Sequence, residues 1–171
     1  SGSNHAAGID INLKYRSYSN IQIVNSTISN NGIGDPNGGG MLIKARSTGS
    51  YAAVPATLNG VVLKGNLVSG NGGGTYGAGI RIGESNNSLT GIDAGPTNVS
   101  ISFSRIIGNS PHGVRNATAA TNVLAENNWW GCNYGPGATG PGCSGVTNGT
   151  FGTIDTDPWL VLTTSAATPS V

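Results

Sequence analysis

Residues 21–32 read IQIVNSTISNNG, and the pattern returns as VVLKGNLVSGNG at 61–72, as VSISFSRIIGNS at 99–110 and, shortened, as VLAENNWWG at 123–131. Apolar and polar residues alternate within each copy, which is typical of β-strands because neighbouring side chains point to opposite faces. The copies start at residues 21, 61, 99 and 123, which are 40, 38 and 24 residues apart. The shortest spacing, together with the alternation, predicts the coil of a β-solenoid rather than a helical repeat.

A shorter repeat precedes each copy of the first one. It reads GIDI at residues 8–11, GMLI at 40–43, GIRI at 79–82 and, less clearly, GVRN at 113–116. The two repeats together predict an all-β parallel β-helix of about four to five coils. The extra residues in the longer spacings, around 47–59 and 84–98, are expected to form loops at one corner of the stack.

Inward positions should recur in register from coil to coil, because side chains alternate along each strand. The alignment predicts five buried columns: Ile9, Met41, Ile80 and Val114; Ile11, Ile43, Ile82 and Asn116; Ile21, Val61, Val99 and Val123; Ile23, Leu63, Ile101 and Ala125; and Ile28, Val68, Ile106 and Trp130. Each buried aliphatic side chain contributes about 1.5 to 3 kcal/mol, so these columns dominate the stability of the fold.

One further column is polar and consists of Asn31, Asn71 and Asn109, each just before a turn or a glycine. Asparagine tolerates left-handed backbone, and its amide can hydrogen-bond to the coils above and below. We therefore expect a structural ladder inside the bend. The alternative is that these are three unrelated, exposed turn residues.

The composition limits the classes of partner. The net charge is +1 with only eight Lys and Arg residues, so a nucleic-acid partner is not expected. The sequence has no run of 18 consecutive apolar residues, so no membrane span is predicted. We expect residues 1–162 to form the β-helix domain with its C-terminal cap, and residues 163–171, rich in Thr, Ser and Pro, to be a linker to neighbouring domains of a longer chain.

Two cysteines, Cys132 and Cys143, enclose a short loop of glycine, proline and small residues. A zinc site needs four ligands, and a redox motif has two residues between its cysteines, so neither alternative fits this spacing. The sequence predicts a disulfide that closes the C-terminal cap. A disulfide in turn favours a secreted or cell-surface location.

These repeats resemble the right-handed parallel β-helices of the pectate-lyase-like superfamily. The C-terminal part, with ENNWWG at 126–131, GP at 135–136 and DPWL at 157–160, resembles the closing coil of bacterial surface β-helix proteins. The resemblance implies the right-handed twist of the coil. It does not choose a function, because lyases, hydrolases, epimerases, adhesins and spacers share this fold.

The best candidate binding site is a row of charged side chains on the outward face of the strands that begin with glycine. We call it the charged strip: Asp10, Lys44, Arg46, Arg81 and Arg115, with Lys14 beyond one end. Its single carboxylate cannot form the pair of acids that a glycoside hydrolase needs. The excess of cations makes it a candidate site for a uronate or sulfated glycan. The alternative is a solvated surface without a ligand.

Two other features have competing interpretations. His112 falls in a column of small residues, where it either covers an exposed edge or belongs to the candidate glycan site as a base or a ligand contact. Alternation places Trp130 inside and Trp129 outside, where Trp129 either stacks on a sugar ring or is covered by the cap. For Trp129 we favour the cap, because the end of a solenoid must be covered.

A metal site is only weakly indicated. Asp93, Asp155 and Asp157 lie in loops, where a carboxylate can bind Ca²⁺, but no stretch has the alternating acids of a calcium loop. We therefore predict no metal and no cofactor. We expect a non-catalytic extracellular module, either adhesive or a rigid spacer, and the alternative is a carbohydrate-active enzyme or a module that binds an anionic polysaccharide or cell-surface glycan.

Overall fold

The chain winds through three parallel sheets, which form the sides of a β-solenoid. The structure is a computed structural model that describes residues 6–84, 95–118, 122–143 and 145–163. The first sheet contains β1 (Ala7–Leu13), β4 (Gly39–Ala45), β7 (Ala78–Ile82), β10 (His112–Asn116) and β12 (Gly149–Phe151). The second contains β2 (Ser17–Val24), β5 (Thr57–Lys64), β8 (Thr97–Ser102), β11 (Val123–Leu124) and β13 (Ile154–Asp155). The third contains β3 (Thr27–Ser29), β6 (Leu67–Ser69) and β9 (Arg105–Ile107). Single 3₁₀ turns lie at Gly49–Tyr51 and Gly145–Asn148.

The stack has about three complete coils, which corrects the expectation of four to five. Strands β1 to β3, β4 to β6 and β7 to β9 each make one full turn through all three sheets. The next turn has β10 and β11 but reaches the third sheet only through a bridge between Arg105 and Trp129. The last turn adds only the short strands β12 and β13. The repeats continue past the third coil, but the chain leaves the stack after Trp130 to form the cap.

The strand register agrees with the predicted columns. Ile9 pairs with Met41, Met41 with Ile80 and Ile80 with Val114, and in the second sheet Val61 pairs with Val99. The inward residues from Met41 onward are buried, whereas those of β1 and β2 are half-buried because they have a neighbouring coil on one side only. Ile28 of the first coil is already buried. The hydrophobic core therefore runs along the axis of the stack.

Asn31, Asn71 and Asn109 form the predicted ladder at the bend between the third sheet and the next coil. The Nδ2 group of Asn31 donates to Oδ1 of Asn71 at 3.0 Å, and Nδ2 of Asn71 donates to Oδ1 of Asn109 at 3.0 Å. The backbone amides of both donors bond to the same oxygens. The ladder has a fourth member that the sequence did not indicate: Asn148 accepts from Nδ2 of Asn109 at 3.2 Å.

A second polar ladder lies at the corner between the second and third sheets. Its members are Ser26, Asn66, Ser104 and Asn128, and each backbone amide from Ser26 to Ser104 donates to the side-chain oxygen of the next member. Asn66, Ser104 and Asn128 are buried. Because two of the three corners are lined by such bonds, the coils are fixed in register by polar contacts as well as by the core.

The C-terminal cap is closed by the predicted disulfide between Cys132 and Cys143, whose Cα atoms are 5.0 Å apart. Trp130 is buried in the core, as alternation predicted. The indole of Trp159 lies against Gly135 of the disulfide loop and donates through Nε1 to the carbonyl of Asn133 at 3.1 Å. The segment around Trp159 therefore connects the disulfide loop to the end of the stack.

Candidate functional site

The charged strip lies on the outward face of the first sheet in the expected register. Asp10 pairs with Leu42, Leu42 with Arg81 and Arg81 with Arg115. The expectation that this face is exposed to solvent holds for Asp10 in β1 but is wrong for β4, β7 and β10. The side chains of Lys44, Arg81 and Arg115 are only 1%, 0% and 6% exposed, and every residue of β4 is buried on both faces.

Part of the cover over the strip comes from the turns that connect the third sheet to the first. Nη1 of Arg81 donates to the carbonyl of Asn37 at 2.8 Å and to that of Tyr76 at 3.3 Å. The guanidinium of Arg115 lies 5.4 Å from the ring centroid of Tyr76 and 4.0 Å from that of Phe151. Cation–π contacts of this kind are strongest when they are shielded from water. These contacts give both arginines structural partners.

Two ion pairs hold the remaining charges of the strip. Nζ of Lys44 is 3.4 Å from Asp10, and Nη1 of Arg46 is 3.3 Å from Glu84. Arg46 also donates through Nε to Asn12 at 3.1 Å. Glu84 is a buried second carboxylate beside the strip, which corrects the prediction that the strip has only one acid. The sequence alignment missed it because Glu84 follows the end of the GIRI repeat.

Burial lowers the pKa of three cations in the strip, because it disfavours their charged forms. Desolvation lowers the pKa of Lys44, although the nearby carboxylates of Glu84 and Asp10 oppose this effect. Desolvation also lowers the pKa of Arg81 to about 10, and it lowers the pKa of Arg115. These shifts follow mainly from placing charged side chains in a site with little water.

Several polar atoms in and beside the strip are buried without a hydrogen-bond partner. They are Nε and Nη2 of Arg81, Nε of Arg115, Oε2 of Glu84 and Oδ1 of Asn37. Unpaired buried groups of this kind cost about 1 to 3 kcal/mol each. The strip therefore contributes less to stability than its contacts suggest.

His112 lies at the first position of β10, half-buried, with its ring 5.4 Å from that of Phe151. Burial lowers the pKa of its imidazole, and the charge of Arg115 lowers it further. The ring packs beside the last strands of the first sheet, as expected for a residue that covers an edge. Its proposed part in glycan binding stays a prediction.

The loop acids show no metal site in the described part of the chain. Oδ1 of Asp155 accepts from the backbone amide of Asp157 at 3.2 Å, and Asp157 is exposed. Asp93 lies outside the described residues. Within residues 6–84, 95–118, 122–143 and 145–163, no three His, Cys, Asp or Glu side chains form a group that could hold a metal ion.

Trp129 is half-buried and stands between two depressions in the surface. One has a volume of about 440 Å³ and is lined by Arg105, Trp129, Leu160, Val161 and Leu162. The other, of about 410 Å³, is lined by Trp129, Gly131, Cys132, Asn133, Tyr134, Pro141, Gly142 and Leu162. The cap therefore borders Trp129 but leaves space on both sides of it.

Comparison with known proteins found no relative of this chain. The chain matches no protein-family model, no curated protein and no solved structure. Among its described residues, no helix has the length and apolar character needed to cross a membrane.

Proposed function

We propose that this chain is a non-catalytic structural module of a secreted or cell-surface protein, in which a rigid β-solenoid serves as an adhesive unit or as a spacer. The observation that carries the proposal is the state of the charged strip. Lys44, Arg81 and Arg115 are buried. Lys44 pairs with Asp10, Arg81 donates to a covering turn and Arg115 packs on aromatic rings, so these three cations act as an internal layer of the fold.

Rigidity is supported by the bonds between coils. The first ladder joins Asn31 to Asn148 across four levels, and the second joins Ser26 to Asn128. Polar networks in which every member is bonded hold a unique arrangement, because any shift of one coil would leave buried groups unpaired. The disulfide is compatible with an oxidising, extracytoplasmic environment.

A carbohydrate-active enzyme, acting as a polysaccharide lyase or hydrolase, is the alternative function. One observation favours a lyase: Lys44 and Arg81 have lowered pKa values, and a base with a lowered pKa can abstract a proton. The burial of both side chains opposes it, since a polymer would have to displace the covering turns to reach them. Each carboxylate beside them is already in an ion pair.

An activity assay separates the two functions. We expect no unsaturated uronides and no new reducing ends when the protein is incubated with polygalacturonate, alginate or hyaluronan. Product release that is lost in Lys44→Met or Arg81→Gln, and kept in the Arg16→Gln variant of an exposed arginine, would show catalysis on the strip and overturn the proposal.

A further inference from the structure

The outward row of the third sheet forms a second surface, on a different side of the solenoid from the charged strip. Register places Thr27 beside Leu67, Leu67 beside Arg105 and Arg105 beside Trp129. The neighbouring residues of these strands, from Ile28 to Trp130, point into the core. Arg105 and Trp129 therefore lie side by side on the outer face, in the depression of about 440 Å³ that Leu160 to Leu162 complete. We call this depression the Trp129 groove.

The corner before the groove has an unusual residue. At this corner each coil has one residue with left-handed backbone, and in three of the four coils it is Asn25, Gly65 or Asn127, with φ of 50°, 68° and 56°. In the remaining coil it is Phe103, with φ of 51°. Glycine and asparagine are suited to this backbone, whereas a bulky side chain is strained there. Strained residues of this kind cluster at functional sites.

Phe103 is also 56% exposed, so the strain does not serve the hydrophobic core. It lies two residues before Arg105 on the same outward face, and Nζ of Lys64 is 5.5 Å from its ring centroid. The corner therefore presents an aromatic ring to solvent in the same coil as Arg105, which lines the Trp129 groove. Tyr134, also exposed, lines the depression on the far side of Trp129.

Two cations lie on this surface, although the acids Glu126 and Asp157 lie at the same corner in the following coils. Lys64 and Arg105 are exposed, and neither forms an ion pair with any of the described residues. An exposed guanidinium without a partner can take a carboxylate or sulfate group in a bidentate contact. The walls of the groove are mainly apolar. The volume of the groove falls in the range of about 300 to 1,000 Å³ that small-molecule sites occupy.

We propose that the Trp129 groove, together with the exposed corner of Phe103 and Lys64 that precedes it, binds an anionic polysaccharide. Phe103 and Trp129 pack on the apolar faces of sugar rings, and Arg105 and Lys64 bind their carboxylate or sulfate groups. Flat aromatic rings beside unpaired cations suit a ligand that is both ring-shaped and acidic. Neighbouring strands are about 4.8 Å apart, close to the length of one sugar unit, so groups on successive coils can contact successive units. The proposal rests on the adhesive form of the proposed function.

The test is titration calorimetry of the whole chain with four probes. They are a galacturonate hexamer for carboxylates, a heparin hexasaccharide for sulfates, cellohexaose as a neutral sugar and a hexaglutamate peptide as an acidic chain without sugar rings. We expect one or both acidic sugars to bind, and to bind more weakly when salt is raised from about 20 mM to about 200 mM, because exposed charges are screened. We expect no comparable binding of cellohexaose or hexaglutamate.

Substitutions locate the site. We expect Arg105→Gln and Phe103→Asn each to weaken binding of the acidic sugar by about tenfold. Arg16→Gln, which removes an exposed arginine between β1 and β2, should leave it unchanged. Phe103→Asn should also raise the Tm by about 3 °C, because asparagine relieves the backbone strain at this corner. A gain in Tm together with a loss of affinity separates a binding role of Phe103 from a structural one.

The groove proposal is overturned if neither acidic sugar binds, if binding is equal in Arg105→Gln and Arg16→Gln, or if cellohexaose or hexaglutamate binds as tightly through the same residues. Absence of binding would leave the spacer form of the proposed function intact. Product release in the activity assay would instead overturn the non-catalytic function, whatever the groove binds. The groove proposal and the proposed function can therefore be overturned separately.

Discussion

Asn71 shows how a single side chain connects three coils. Its Nδ2 group donates to the carbonyl of Ile28 in the coil before it and to Oδ1 of Asn109 in the coil after it, and its own Oδ1 accepts from Asn31. The side chain is buried, so water cannot replace these bonds. A buried amide that satisfies groups on both sides is worth more than its own hydrogen bonds, because its loss leaves those groups unpaired.

We predict that Asn71→Ala lowers the free energy of unfolding by about 2 to 4 kcal/mol, since it leaves the backbone amide of Asn31 without a partner and removes the side-chain bonds to Ile28 and Asn109. Asn31→Ala should cost about 1 kcal/mol, because Asn31 is only half-buried and lies at the end of the ladder. Urea unfolding of both variants measures the difference. Equal losses would show that the ladder contributes nothing beyond a local turn.

The ladder also shows which residues the sequence can reveal. Asn31, Asn71 and Asn109 are identical residues at matching positions of the repeat, so alignment alone identifies them. Ser26, Asn66, Ser104 and Asn128 also occupy matching positions, each five residues after the start of a repeat, but the mixture of serine and asparagine hides the column. Asn148 lies after the disulfide loop and outside any repeat, so only the fold brings it to the end of the ladder.

At the scale of the strand, register was predictable and burial of the outer face was not. A slip of one residue in β4 would move Met41 and Ile43 from the core to the outer face, so the apolar pattern allows one register. The cover of Arg81 depends on Asn37 and Tyr76, which lie in turns between the repeats. No periodic signal places those turns over the first sheet. The charged strip therefore looked like a solvated face.

Burial of Lys44 in β4 gives the stability a dependence on pH. Its pKa in the folded protein lies below 10.5, the value of an exposed lysine. Between the folded and the unfolded pKa of Lys44, the unfolded chain binds more protons than the folded protein does. The free energy of unfolding therefore rises with pH in this range. Below the folded pKa the lysine is charged in both states, and the folded state carries the cost of burying that charge.

We predict that Lys44→Met is as stable as the original protein or more stable near neutral pH, because methionine has no charge to bury and Asp10 remains exposed to water. The original protein should gain stability relative to Lys44→Met as the pH rises towards 10.5. Arg81, whose pKa burial also lowers, to about 10, is present in both proteins, so the difference between their pH profiles reports mainly on Lys44. Leu42→Met, on the same face of the same strand, should follow the original protein. Parallel pH profiles for the original protein and Lys44→Met would contradict the prediction.

At the scale of the whole molecule, the two ends of the stack differ. The core residues of the first coil, such as Ile9 and Ile21, are half-buried, whereas Trp130 at the other end is buried beneath the cap. The cap depends on contacts between segments that are distant in sequence: Leu160 donates to the carbonyl of Asn128, and the backbone of Leu162 pairs with the side chain of Asn133. The disulfide connects the two ends of the loop that carries Asn133.

Loss of the disulfide should destabilise the protein from this end. Cross-linking a loop of about 12 residues restricts the unfolded chain by an amount worth about 3 kcal/mol, so we predict that Cys132→Ser/Cys143→Ser lowers the free energy of unfolding by about that much. Hydrogen exchange should accelerate first at Leu160, Leu162 and β13, while β5 and β8, which have neighbouring strands on both sides, stay protected. Reducing agent should lower the stability of the original protein to that of the double variant and leave the variant unchanged. This account of the cap is contradicted if the unfolded, unreduced protein has two free thiols, because the disulfide would then be absent. It is also contradicted if exchange accelerates uniformly along the whole stack, because the disulfide would then act on the chain as a whole.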